Sequence, residues 1–304
     1  MVTAPVPLSS FKPIILIGGN GFLGRAFVAH LAAQQREVHI IGRNDWESGQ
    51  AKALAKAMQS RQPVVIDLAY ATVPSSSFVD PVGDFTANLG AIIRHLEFAK
   101  DLVVDRYIFV SSGGTIYGDQ GDRPLGEEAR KEPISPYGIT KLASEHYVGM
   151  YRRIKVPTLI VRPSNIYGPG QAPFRGQGLV ATAFGMALHG KPLTLFGDGS
   201  QLRDYLFIDD FCASLDATLI RGAIGQSYNL GSGKVTTAAD LLSAIGSITA
   251  RDGLPLTIIP ADTRPFDVKA NLLDVTKMRD HLGVHSHVDL EDGLERTWRW
   301  MRNQ

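Results

Sequence analysis

Short apolar runs alternate with amphipathic stretches through the first half of the chain. Ile14–Ile17, Val38–Ile41, Val64–Ala69, Tyr107–Val110 and Thr158–Val161 are nearly continuous in apolar side chains, as strands covered on both faces are. The segments between them carry helical periodicity. Phe27, Val28 and Leu31 fall at helical spacing in a stretch ending near Gln35, and Gly49–Met58, Asn88–Ala99 and a segment to about Tyr151 follow. Strands alternating with helices predict an α/β fold with a doubly wound parallel sheet, whose ligand crevice opens at the carboxyl ends of the strands.

Beyond residue 162 the pattern changes. Arg162–Gly170 and Phe196–Gly199 are rich in proline and glycine, with helices expected near Leu179–His189, Asp210–Arg221 and Ala238–Ile248. Leu290–Arg302 spaces Leu294, Trp298 and Met301 for a docked helix, so its tryptophans read as core. These stretches predict a smaller part built on the carboxyl edge of the sheet.

Composition narrows the partners. The 304 residues suffice for one large α/β unit or two parts sharing a cleft. Lys+Arg is 31 against Asp+Glu 30, a net charge of +1, which recruits neither nucleic acid nor an anionic membrane surface. One cysteine, Cys212, excludes an intrachain disulfide framework and fits a reducing cytoplasm. It has no basic neighbour four residues away and reads as packing. No apolar run approaches a membrane span, and Met1–Phe11 lacks the basic start of a secretory signal. A soluble, cytoplasmic protein is expected.

The candidate chemistry gathers at the strand ends. Ile14–Ile17 runs into Gly18-Gly19-Asn20-Gly21-Phe22-Leu23-Gly24 and then a helix. A strand, a glycine turn and a helix make a dinucleotide site, because the glycines allow close backbone approach and the helix start offers free N–H groups to a pyrophosphate. After the second strand stands Gly42-Arg43-Asn44, where NAD-binding folds usually carry an acid for the ribose 2′-hydroxyl. Arg43 could pair with a 2′-phosphate, stack on adenine or point to solvent; the choice of NAD or NADP stays open, with a lean to NADP. Ser111, Ser112 and Thr115 also fall at a strand end. In Ser135-Pro136-Tyr137-Gly138-Ile139-Thr140-Lys141, Ser135 suits an N-cap and Pro136 a first helical residue. Tyr137 and Lys141 then share one helix face. An ammonium beside a phenol favours the phenolate, so Tyr137 is a candidate acid/base. His285-Ser286-His287 has no accompanying carboxylate or cysteine cluster and reads as a solvated loop, as does Glu127–Glu132.

These residues resemble the extended short-chain dehydrogenase/reductases acting on nucleotide sugars, the NAD-dependent epimerase/dehydratase group, and within it the UDP-galactose 4-epimerase-like members. The resemblance rests on Gly18/Gly21/Gly24, Ser111–Gly118, Tyr137/Lys141, Arg162-Pro163-x-Asn165-x-Tyr167-Gly168-Pro169, Gly197-Asp198-Gly199 leading to Arg203-Asp204-Tyr205, and Arg264-Pro265-x-Asp267. It spans about Ile14 to Gly283. It implies a Rossmann domain of residues 1–162 plus 204–223 and a nucleotide-sugar-binding domain of residues 163–203 plus 224–304. It implies that Gly18, Gly21, Phe22 and Gly24 line the pyrophosphate of a nicotinamide cofactor, with Asn20, Leu23, Arg43, Leu68, Ala69, Asn88 and Ser111 also bordering that cofactor. Lys141 would bind the nicotinamide ribose while Tyr137 takes the proton of the sugar 4-hydroxyl. Asn165, Arg203 and Arg264 would hold the substrate diphosphate, with Asp267 near the ribose. A homodimer, through the helices after Asn88 and around Tyr137, is implied as well.

Three departures qualify that picture. The position of the family's usual Ser or Thr partner is Gly113, so Ser112 or Thr115 must supply the hydroxyl, Thr115 being preferred. Gly114 and Thr115 stand where the related 4,6-dehydratases carry an Asp-Glu pair, which argues against dehydration. Arg43 to Val64 is short for the family, leaving little room for its third strand. The expected activity is 4-epimerisation of a nucleotide hexose. The alternatives are an NADPH-dependent reductase of a nucleotide 4-keto sugar and a non-catalytic NAD(P)-sensing regulator.

Overall fold

The computed structural model describes residues 12–263 and 268–304. The first half runs β1 (Ile14–Ile17), α1 (Phe22–Ala33), β2 (Val38–Ile41), α2 (Arg43–Glu47), α3 (Gln50–Met58), β3 (Val64–Asp67), α4 (Pro74–Val79), α5 (Pro81–Leu102), β4 (Arg106–Val110), α6 (Pro136–Arg153) and β5 (Thr158–Pro163). Next come β6 (Asn165–Tyr167), α7 (Leu179–Leu188), β7 (Leu193–Phe196), β8 (Leu202–Arg203), β9 (Tyr205–Phe207) and α8 (Ile208–Arg221). The chain closes with β10 (Ser227–Leu230), β11 (Thr236–Thr237), α9 (Ala238–Arg251), β12 (Ile258–Ala261), β13 (Ala270–Asn271), α10 (Thr276–Leu282) and α11 (Leu290–Arg302).

The central sheet has six parallel strands in the order β10-β5-β4-β3-β1-β2. The chain moves outward from β1 to β2, then returns to place β3 on the other side of β1. That reversal opens a crevice at the carboxyl ends of β1 and β3, where Gly18 and Leu68 lie. The short stretch from Arg43 to Val64 forms α2 and α3, and β2 stays at the sheet edge, in keeping with the missing third strand. Side chains of β1, β3 and β4 are buried on both faces. One face packs Ile14, Leu16, Ile66 and Ile108 against α1 and α8, and the other packs Ile15, Ile17, Val65 and Phe109 against α3, α5 and α6.

One domain boundary is corrected. Strand β10, assigned from sequence to the second part, is the outermost strand of the main sheet, pairing Tyr228 with Val161. Helix α8 returns the chain to that edge, and a strand as short as Ser227–Leu230 shows no periodicity of its own. The smaller part consists of small sheets and α7, α9 and α11, with Trp298 stacked on Phe184 in its core. Among the described residues no helix is long and apolar enough to cross a membrane. Helices α5 and α6 pack side by side and leave Val82, Phe85, Ile139 and Met150 exposed.

Candidate active site

The glycine turn after β1 is built for close approach. Gly18 sits at φ +83°, and a Cβ on it would lie 2.8 Å from the Ala69 nitrogen. A Cβ on Gly24 would lie 2.5 Å from the Gly18 carbonyl oxygen. No other side chain fits either place, so the turn stays tight and the start of α1 faces the crevice. From there a cavity of about 580 Å³ extends across the carboxyl edge of the sheet. Gly18, Gly21, Phe22, Leu23, Gly24 and Leu68 line one end of it. Ser111, Ser112, Thr115, Tyr137 and Lys141 line its middle, and Asn165 and Arg203 its far wall.

Tyr137 and Lys141 are brought together by α6. The Ser135 side chain accepts from the Gly138 N–H at 3.1 Å, Pro136 opens the first turn, and the expected cap is present. Lys141 reaches to the end of β4, where Nζ donates to the Val110 carbonyl at 2.9 Å. Burial brings this ammonium down to about 8, with the more distant Asp67, Glu145 and Asp84 opposing. The Tyr137 phenol is corrected against expectation. Burial pushes it above the usual tyrosine value, and the Asp84 carboxylate pushes it the same way. Tyr137 is therefore a neutral phenol, because desolvation and a buried carboxylate both disfavour the phenolate. Asp84 is held by Thr140 at 2.7 Å and by Thr72, inside α5.

The loop after β4 explains the missing serine. A Cβ on Gly113 would lie 2.5 Å from Leu273 and 2.9 Å from the Arg162 carbonyl, so this residue faces β5 and no side chain could stand there. The hydroxyls of Ser111 and Thr115 are buried and find no hydrogen-bond partner among the described residues. Buried polar groups are normally satisfied, so two unpaired hydroxyls in the cavity wall await a ligand's polar atoms. With the glycine turn, they fit a nicotinamide dinucleotide and a hydroxylated substrate.

Four cofactor-side expectations do not line the cavity. Asn88 is buried behind it, accepting from the Ala71 N–H at 2.7 Å and donating to Thr72 and Asp84, so it braces the wall. Ala69 packs under Gly18, and Asn20 is exposed. Arg43 is exposed too, on the first residue of α2. Beside it, the Asp45 carboxylate accepts from the Gly42 N–H at 2.6 Å and borders the space that a side chain on Gly42 would fill. The Arg203 guanidinium donates to the Val268 carbonyl at 2.6 Å and to that of Leu202. Arg264 and Asp267 lie outside the described residues.

Sequence reasoning missed Tyr70 and Asp84. Tyr70 follows β3 at the same sheet edge and lines the cavity; its nearness to Leu68 was the available signal. Asp84 shows none, since its burial depends on contacts across α5 and α6. Burial pushes the Cys212 thiol up to about 12, so it packs and does not react. Ser286 and the backbone of His287 and Val288 donate to Asp210, which fixes that loop. Glu127 is corrected: it is buried, and its carboxylate accepts from the Asn229 N–H at 2.8 Å.

Residues 14–231 match the model of the NAD dependent epimerase/dehydratase family. The chain is 31% identical to the UDP-glucose 4-epimerase of Mycolicibacterium smegmatis over 95% of its own length and 98% of that protein's. The solved UDP-glucose 4-epimerase of Thermotoga maritima, with UDP-glucose, is 29% identical with a TM-score of 0.85, covering 96% of this chain and 99% of that one. The Thermus thermophilus UDP-glucose 4-epimerase complex with NAD is 28% identical with a TM-score of 0.85, covering 95% and 99%.

Proposed function

The chain belongs to the NAD dependent epimerase/dehydratase family, and from that premise we propose that it is a 4-epimerase of nucleotide-diphosphate hexoses. The observation that carries this reading is one continuous cavity lined by the glycine turn, Tyr137, Lys141 and the unpaired Thr115 hydroxyl. A bound nicotinamide supplies a hydride acceptor and donor. Tyr137 moves the proton of the sugar 4-hydroxyl, Lys141 fixes the charge beside it, and Thr115 or Ser112 bonds the same sugar oxygen. Asn165, Arg203, Arg264 and Asp267 are proposed to hold the nucleotide. Gly114 has no side chain between Asn165 and Ser112, so no acid stands there to expel water from the sugar.

The test is incubation of purified protein with UDP-hexoses and no added cofactor, read by proton NMR. Appearance of the C4 epimer is expected. No epimer from any UDP-hexose overturns the reading, and empty sites that take NADPH would turn it to reduction of a 4-keto sugar.

The cofactor we propose is NAD. A 2′-phosphate beside Gly42 would meet the Asp45 carboxylate, and like charges repel. NAD should bind at least ~10-fold tighter than NADP, the factor about 1.4 kcal/mol provides. Asp45→Asn should narrow that gap in equilibrium titrations; tighter NADP binding by the unaltered protein would reverse the assignment. We also propose that the exposed apolar residues of α5 and α6 pair two copies. Sedimentation should then give twice the 33.0 kDa chain mass, and a monomer at micromolar concentration would refute the pairing.

A further inference from the structure

Lys141 makes one hydrogen bond among the described residues, where an ammonium can make three. Among the described residues no carboxylate lies within ion-pair distance of it. A buried cation with no directly paired carboxylate, only the more distant Asp67, Glu145 and Asp84, is costly, so a neighbouring group that fixes it in place matters. The Lys141 Nζ lies 3.9 Å from the centroid of the Tyr70 ring, nearer than to the rings of Phe109 at 5.1 Å or Tyr137 at 5.9 Å. Tyr70 meets the Tyr137 ring edge to face at 4.8 Å. One aromatic ring thus touches both members of the candidate acid/base pair.

We propose that Tyr70 is a positioning residue, whose ring holds the Lys141 ammonium on its face and the Tyr137 ring beside it, so that the pair is aligned before any ligand enters. The inference rests on the epimerase reading only for what the pair does, not for its geometry. A four-carbon lysine stem is flexible, and a ring face is a soft but directional partner for its charge. The ring itself is anchored. The next residue, Ala71, donates its N–H to Asn88, and Thr72 donates to Asp84. The Tyr70 hydroxyl is not a second acid/base. It is 3.5 Å from the Tyr137 carbonyl oxygen, and burial with Asp84 raises it far above the neutral range.

Tyr70→Phe keeps the ring and Tyr70→Leu removes it. Brief labelling with acetic anhydride, read at Lys141 by mass spectrometry, reports access to the amine without reference to turnover. Compared at equal free-amine fraction, taken from the pH dependence of the labelling rate, unaltered protein and Tyr70→Phe should label alike, and Tyr70→Leu roughly tenfold faster. The alkaline limb of kcat/KM should rise in Tyr70→Leu toward the ordinary lysine value of about 10.4, because water relieves the burial that dominates. Equal labelling and pH profile in folded Tyr70→Leu overturns the proposal. So does a Tyr70→Phe variant that behaves like Tyr70→Leu, since the hydroxyl would then be the active part. If Tyr137→Phe keeps full activity while Tyr70→Leu still exposes Lys141, the epimerase mechanism fails and this inference stands.

Discussion

Tyr137→Phe lowers kcat for epimerisation by ~10² or more and leaves KM nearly unchanged, as expected when an acid/base group is lost and binding contacts remain. The ring of Phe fills the same space against Tyr70, so the fold and the cavity persist. Only the transferable proton goes. The rate of the unaltered protein should fall as pH rises through about 8, where the Lys141 ammonium loses its proton. The sign follows from the charge: ammonium favours the phenolate, neutral amine does not. Roughly nine in ten Lys141 side chains are charged at pH 7 and one in ten at pH 9 on this midpoint. Stopped assays of epimer formation at fixed pH measure both effects. A Tyr137→Phe enzyme within a few-fold of the original would remove Tyr137 from the chemistry.

Glu145→Ala costs about 3–5 kcal/mol of stability, the range found when one partner of a buried ion pair is removed. Glu145 meets Arg162 through two hydrogen bonds, at 3.0 and 2.7 Å, with both side chains only 5–6% exposed. Arg162 also donates to the Tyr117 hydroxyl at 3.1 Å and to the Glu127 carbonyl at 2.9 Å. The pair therefore ties α6 to β5 and to the loop that carries Thr115. Arg130 and Glu132, an ion pair at 78% and 49% exposure, provide the control. Arg130→Ala should cost less than about 1 kcal/mol, since water already screens that pair. Denaturant titration distinguishes the two. Equal effects would mean that the buried pair is not what holds this loop, whereas recovery in an Arg162→Met, Glu145→Leu double variant would confirm that the cost lay in the orphaned charge.

Much of the site was legible because its signals are local. Gly18, Gly21 and Gly24 act through backbone within one turn, and Ser135 and Pro136 through the first turn of one helix. Tyr137 and Lys141 needed only the period of that helix to share a face. Asn165 and Arg203, which the resemblance assigns to the substrate diphosphate, line the same cavity. Asn88 was placed at the cofactor and instead braces the wall from behind, a distinction that spacing along a helix cannot make.

By itself the sequence determined the alternation of the five strands β1–β5 with helices, the glycine turn and the pairing of phenol with amine, because periodicity and turn chemistry are set by neighbours in the chain. Only the tertiary structure decided that β10 closes the sheet, that Glu127 is inside, and that Tyr70 backs Lys141. It also decided which way the Tyr137 phenol shifts. Those outcomes depend on burial and on charges brought in from far along the chain, as when Glu127 accepts from Asn229, 102 residues away, and a titrating group responds to what surrounds it in space, whatever its distance in sequence.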